Sequence, residues 1–274
     1  MRRTEWVLDR TEAVAEHGMV AAKHELAAEV GIDVLQAGGN AVDAAVATAF
    51  AVGVVEPFMS GIGGGGLMVI HLADRRENIA IDYGMVAPKA ARPDLYELVE
   101  GDAVDSALFG WRAVRDDANI VGPLAIAVPG TVAGLALAAE RYGTLPLREL
   151  IRPAVRLARD GFPVGWHTSL TIAQDLALLS RFPATRAIFT DDGRPWTMLT
   201  GLTPTRLVQA DLARTLDALA DDGWETFYRG DLARAEKVER AGGVGRVERE
   251  QGVQPPAADE VPLVGDQQAQ QRHV

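Results

Sequence analysis

The run Ser60-Gly61-Ile62-Gly63-Gly64-Gly65-Gly66 is the first stretch of the sequence with the residue types for ligand chemistry. It satisfies G-x-G-x-x-G, a pattern that lets a helix N-terminus meet a pyrophosphate when a strand precedes it and a helix follows. Here helical sequence precedes and strand-like sequence follows, so the order is reversed. No Lys-Ser/Thr pair follows either, so the run is not a phosphate loop. Close approach of two backbones, where a side chain would clash, is the reading that fits.

Other reactive side chains form no constellation. His17, His24, His71, His167 and His273 lack metal-ligand spacing, and none pairs with a glutamate on one helix face. Each is expected to be structural or on the surface, and neither metal nor cofactor is expected. Met59-Ser60-Gly61 lacks the first glycine of a nucleophile elbow. Asp116-Asp117, Asp191-Asp192 and Asp221-Asp222 fall in expected turns or helix ends, as solvated faces or caps. There is no cysteine, which removes thiol nucleophiles, disulfides and cysteine zinc sites. The residues alone therefore name no catalytic group.

Composition narrows the classes. The chain has 274 residues, 48% hydrophobic and 24% charged, enough to bury a substantial core. Its net charge of −11 repels phosphate backbones, so nucleic acid is not an expected partner. The apolar stretch 41–58 is interrupted by Asp43, Thr48, Gly53 and Glu56 and falls short of a membrane span. Met1–Glu16 has no apolar segment behind Arg2 and Arg3, so a cytoplasmic protein is expected.

The elements that must position any site follow from periodicity. His24–Gln36 has helical spacing and ends at Ala37-Gly38-Gly39-Asn40. Asn40 can cap a second helix, Ala41–Val55, which is apolar nearly all round and so buried. Its small residues suit close packing against a sheet. After the glycine run come strands at Leu67–Ala73 and Ile79–Tyr83, joined by a charged turn. Further helices are expected at Thr131–Arg141, from Pro146 to Arg159, and over Trp166–Ser180, Thr205–Leu219 and Trp224–Ala235. Residues 181–202 read as irregular, with a turn at Thr190-Asp191-Asp192-Gly193. Residues 1–16 read as a flexible lead-in. Residues 236–274 contain no aromatic residue and read as a disordered tail.

Ala37-Gly38-Gly39-Asn40-Ala41-Val42-Asp43-Ala44-Ala45, Val54-Val55-Glu56-Pro57 and the glycine run resemble the γ-glutamyltransferase (γ-glutamyltranspeptidase) family. The similarity continues in Pro129-Gly130-Thr131-Val132-Ala133-Gly134, Tyr142-Gly143-Thr144-Leu145-Pro146, Leu157-Ala158-Arg159-Asp160-Gly161-Phe162 and Phe227-Tyr228-Arg229-Gly230. It covers roughly residues 17–235, in the family's order and spacing. The resemblance implies an α+β N-terminal-nucleophile hydrolase with an αββα sandwich, present here as the helix-rich large-subunit half. It also implies a proenzyme whose small subunit starts with a threonine. That hydroxyl, with its own α-amine as base, attacks the γ-glutamyl amide of glutathione or another γ-glutamyl or acyl amide.

Three expectations follow from the resemblance. Only the large subunit is matched, so no catalytic residue is assigned, and a threonine-led small subunit is the expected partner alongside a small-molecule amide substrate. The loss of both resemblance and core-forming composition after Ala235 suggests a truncated or frameshifted product, inactive alone and poorly soluble. In typical transpeptidases an arginine after the second hairpin strand pairs with the γ-glutamyl α-carboxylate; here that position is Gly84, followed by Met85. Gly84 and Met85 are therefore the substrate-binding candidates, and an apolar acyl group becomes plausible. The competing reading is a non-catalytic folded remnant that binds or regulates; a weaker one is a nucleotide-binding protein.

Overall fold

The computed structural model describes residues 12–101, 110–200, 203–230 and 232–234. The expected tail and residues 1–11 of the expected lead-in lie outside the described residues.

Helix α1 (Glu25–Gln36) is capped by His24, whose Nδ1 accepts the Leu26 N–H at 3.2 Å. It closes where Gly38 takes φ +92°. Gly38 N–H then reaches the Leu35 carbonyl and Gly39 N–H the Val34 carbonyl, the paired bonds of a Schellman motif. Helix α2 (Ala41–Val55) begins in a capping box: Asn40 Oδ1 accepts the Val42 and Asp43 N–H, and the Asp43 carboxylate accepts the Asn40 N–H.

Burial of α2 is as its composition requires, but its neighbours differ from expectation. It packs mainly between α1 and α4 (Leu147–Asp160), with α3 (Thr131–Tyr142) alongside, rather than on a sheet. Its small residues serve helix crossing instead. A Cβ on Gly31 of α1 would collide with the Thr48 hydroxyl of α2, so the glycine sets how closely the two helices approach.

Asp43 also organises the turn between α3 and α4. It is fully buried. Its oxygens accept the Thr144 N–H at 3.0 Å, the Thr144 hydroxyl at 2.6 Å and the Leu145 N–H at 3.3 Å. Asn40 Nδ2 donates to the Tyr142 carbonyl at 2.7 Å. A buried carboxylate survives without a cation here because N–H and O–H dipoles surround it.

Strands β1 (Gly66–Leu72) and β2 (Glu77–Tyr83) form an antiparallel hairpin with Gly66 opposite Tyr83 and Leu72 opposite Glu77. Alternation sends Ile70, Ile79 and Ile81 into the core, and α3 packs on β2. Leu67 and Val69 point the other way and are 74% and 77% exposed. Among the described residues the hairpin gains no third strand. Its ladder edges and one apolar face are thus left open.

The C-terminal half corrects several expected boundaries. The helix expected over Trp166–Ser180 divides at Asp175 into α5 (Trp166–Gln174) and α6 (Leu176–Leu179), because Asp175 takes φ −99° and ψ 12°. Aspartate competes for backbone bonds and is a weak interior residue. The stretch expected to be irregular holds α7 (Pro183–Phe189), and β4 (Thr190–Asp191) pairs with β5 (Arg194–Pro195). Asp192 and Gly193 both take positive φ, as a two-residue hairpin loop requires. Two further dipeptide strands follow, β6 (Leu199–Thr200) and β7 (Thr203–Pro204), paired with each other. The helix expected from Thr205 starts later, as α8 (Ala210–Asp222), because Arg206–Leu207 (β8) is drawn into a ladder with Phe162–Pro163 (β3). The last expected helix starts later, with a single turn, α9 (Thr226–Arg229), and breaks at Gly230, whose backbone is extended; residues 232–234 are helical again.

Helix α8 lies along α4, burying Leu216, Leu219 and Ala220. Arg152 and Arg159 of α4 grip Asp217, and Arg152 also reaches Asp221. Gln209 closes the core: its Nε2 donates to the Val54 carbonyl at 2.8 Å and its N–H to the Ala158 carbonyl at 2.9 Å. Among the described residues no helix is long and apolar enough to cross a membrane.

Candidate functional site

The end of β2 runs directly into the expected substrate-binding pair, Gly84 and Met85. Glycines hold this segment from two sides. A Cβ on Gly65 would stand 2.7 Å from the Tyr83 carbonyl oxygen and 2.8 Å from the Met85 nitrogen. A Cβ on Gly130 would collide with that same carbonyl, and one on Gly134 with the Tyr83 ring. Gly66 meets the hydroxyl end of the ring, where a Cβ would lie 2.8 Å from Cε2. The glycine run is therefore a place of close backbone approach, and its partner is the Tyr83–Met85 segment.

Hydrogen bonds fix the same junction. Gly130 and Thr131 both donate their N–H to the Gly64 carbonyl, at 2.8 and 3.1 Å. Val86 and Val128 exchange N–H···O bonds of 3.3 and 2.9 Å. The start of α3 is thereby tied to the glycine run and to the residue after Met85. Gly130 and Gly134 stood in the sequence as an i, i+4 pair on one helix face, which is the signal that could have placed an aromatic ring against them.

Gly84 itself is exposed. The neighbour a Cβ there would meet is Asp82 Oδ1, at 3.2 Å, and the same oxygen accepts the Gly84 N–H at 2.9 Å. Met85 and Val86 are more than half exposed. This segment thus offers backbone, apolar side chains and one carboxylate. It has no cation where the resemblance calls for an arginine.

Burial pushes the Tyr83 phenol above its ordinary pKa. The folded chain then holds this proton more tightly than the unfolded chain does. Its contribution to stability is intact below the ordinary phenol value of about 10 and is lost as pH rises through the higher folded value. Ultraviolet titration of the native chain is expected to show a late-ionising phenol that disappears in Tyr83→Phe. Persistence of the late step in the variant would assign it to another tyrosine.

The remaining candidates do not converge here. His24 caps α1, His71 meets Asn78 across the hairpin at 2.8 Å, and His167 lies tilted against Phe58 and edge-to-face with Trp166. His17 lies in an exposed bend, and His273 is outside the described residues. Asp116 and Asp117 form a left-handed turn, Asp192 pairs with Arg186 at 3.5 Å, and Asp221 serves α4. Among the described residues no cluster of three or more histidines and carboxylates could hold a metal ion.

Residues 27–248 match the gamma-glutamyltranspeptidase family profile, a span that runs past Ala235. The chain is 41% identical over 234 residues to the acylase ACY 1 proenzyme of Pseudomonas sp. strain V22, covering 85% of this chain and 40% of that protein. It is 39% identical over 221 residues to the glutathione hydrolase proenzyme of Bacillus subtilis strain 168, covering 81% and 35% respectively. The crystal structure of Helicobacter pylori gamma-glutamyltranspeptidase superposes with a TM-score of 0.73 at 33% identity, over 85% of this chain and 63% of that one. The chain thus spans about two fifths of the length of the curated relatives it matches.

Proposed function

Because the chain belongs to the gamma-glutamyltranspeptidase family, with its N-terminal-nucleophile αββα fold, we propose that residues 17–235 form the large-subunit-like domain of a two-part amide hydrolase or acyltransferase. In this reading Gly84 and Met85 line the acyl-binding wall. The nucleophilic threonine comes from a complementary half, which covers the open hairpin face at Leu67 and Val69. Exposed apolar strand residues beside two unpaired edges support such a partner.

The chemistry divides between the halves. The threonine hydroxyl attacks the amide carbonyl while its α-amine takes the proton and passes it to the departing amine; water or an acceptor amine then attacks the acyl–threonine ester, takes the acyl group and frees the hydroxyl. This chain's residues hold the acyl chain. The glycine cradle fixes the backbone of Tyr83–Met85, and the apolar Met85 surface excludes water from the bound acyl group.

One observation carries the choice of acyl group: Gly84 replaces the expected arginine and lies beside the Asp82 carboxylate. An Arg–carboxylate fork is the usual means of holding a γ-glutamyl α-carboxylate. Without it, a γ-glutamyl amide would bring its carboxylate toward Asp82. The substrate class favoured is an amide whose acyl group carries no α-carboxylate.

The test is a comparison of kcat/KM on a γ-glutamyl anilide and on an apolar acyl anilide, using the chain assembled with a threonine-led half. The apolar substrate is expected to lead. Gly84→Arg has an allowed backbone and one close neighbour, the Asp82 side chain, and it is expected to raise γ-glutamyl kcat/KM by roughly 10- to 100-fold, the worth of a charged hydrogen-bonded contact. A strong γ-glutamyl preference before the substitution would overturn the apolar assignment. No turnover of either substrate would favour the non-catalytic remnant.

A further inference from the structure

We propose that Tyr228, far from the glycine run in sequence, is a positioning residue for the Gly84–Met85 wall. Its hydroxyl is a two-way clasp on the start of α3. It donates to the Pro129 carbonyl at 3.0 Å and accepts the Ala133 N–H at 3.2 Å. Ala133 is in the first turn of α3, where N–H groups have no partner within the helix. Gly130 contributes no capping side chain, so the tyrosine supplies the acceptor that an N-cap residue would normally offer.

The clasp acts on the wall through two short steps. Pro129 and Ala133 bracket Gly130 and Thr131, whose N–H groups grip the Gly64 carbonyl. Gly130 also lies against the Tyr83 and Gly84 carbonyls, and Gly134 against the Tyr83 ring. Rotation of the α3 start therefore either releases Gly64 or pushes on the strand end that carries Gly84. Tyr228 is well placed to prevent this because its ring is itself fixed. It is 4% exposed and stands edge-to-face with Phe227 and Trp224, and Trp224 Nε1 donates to Glu140 of α3 at 2.8 Å.

The catalytic consequence rests on the acyl-wall reading, but the coupling does not, and the experiment separates them. Hydrogen exchange is measured on the whole chain and on Tyr228→Phe, which keeps the ring and removes only the hydroxyl. Exchange at residues 61–66 and 83–87 is expected to rise at least tenfold, while α4 and α8 stay within twofold. Trp196→Phe, which removes an indole hydrogen bond to the Ile188 carbonyl away from the clasp, is expected to leave 61–66 unchanged. A uniform rise across the chain, or no rise at 61–66, overturns the proposal. Should Tyr228→Phe fail to fold, native-state exchange in low denaturant decides on the unaltered chain. Residues 224–230, 129–133 and 61–66 are expected to open together, and opening of 224–230 alone overturns the coupling. In an active assembly, Tyr228→Phe is expected to raise KM at least fivefold with kcat per folded site nearly unchanged, which a loss of folded protein does not produce. An assembly inactive before substitution sinks the enzymatic reading and leaves the exchange result standing.

Discussion

Gly130→Ala is expected to cost about 3 kcal/mol or more, at the upper end for an inserted methyl in a packed site. Gly130 has φ −107° and ψ −20°, angles that alanine adopts without strain. The cost comes wholly from space, since the new methyl would occupy the position of the Tyr83 carbonyl. That oxygen belongs to a strand end and cannot rotate away as a flexible side chain would. Relief requires α3 to back off, which breaks the bonds from Gly130 and Thr131 to Gly64. Gly61→Ala is the matched control: it lies in the same glycine run, has no positive φ and meets nothing within 4 Å. It is expected to stay within about 0.5 kcal/mol, as an uncrowded substitution does. Denaturant midpoints of the two variants check this directly, and equal midpoints would remove the close approach from the account.

The second large effect is expected at Asp43. Asp43→Ala removes the acceptor for the Asn40, Thr144 and Leu145 N–H groups and for the Thr144 hydroxyl. Orphaned buried donors cost about 1–3 kcal/mol each, and neighbouring losses overlap, so a total of about 4 kcal/mol is expected. Asp43→Asn keeps the volume but turns an NH2 toward donors, and is expected to recover less than half of the loss. Asp33→Ala, an exposed carboxylate on α1, is expected to be nearly neutral. A double-mutant cycle with Thr144→Val isolates the 2.6 Å bond, with an expected coupling of about 1.5–3 kcal/mol for a bond to a charged group. Coupling near zero would show that the carboxylate is not the anchor of this turn.

Much of the first half of the fold was legible because local signals agreed. Gly38 and Asn40 marked the junction of α1 and α2, and alternation marked the hairpin to within a residue or two. Asp43 was readable only as an interruption of an apolar helix. Its role depends on Thr144, 101 positions away, which no local pattern reports. The late start of α8 was hidden for the same reason. Arg206 and Leu207 suit a helix by propensity, but pairing with Phe162 and Pro163 draws them into extended backbone. At the candidate site, the glycine run announced close approach but not what approached. Gly84 and Met85 entered through the family resemblance; the glycines at 130 and 134 were named there too, but their contact with Tyr83 came from the structure.

The bond from Gln209 to the Val54 carbonyl joins residues 155 positions apart, and it sets a timetable for the chain as it is made. Synthesis at about 5–20 residues per second delivers α8 roughly 8–30 s after α2. Through that interval the nascent α2 has α1 beside it first and meets α3 and α4 only later. Its alanine- and valine-rich flanks stay uncovered for a period far longer than helix formation or collapse requires. Slow translation through residues 56–160, which end with α4, would therefore lengthen the exposure of the most apolar helix, making the pace of the ribosome and the supply of chaperones a determinant of yield.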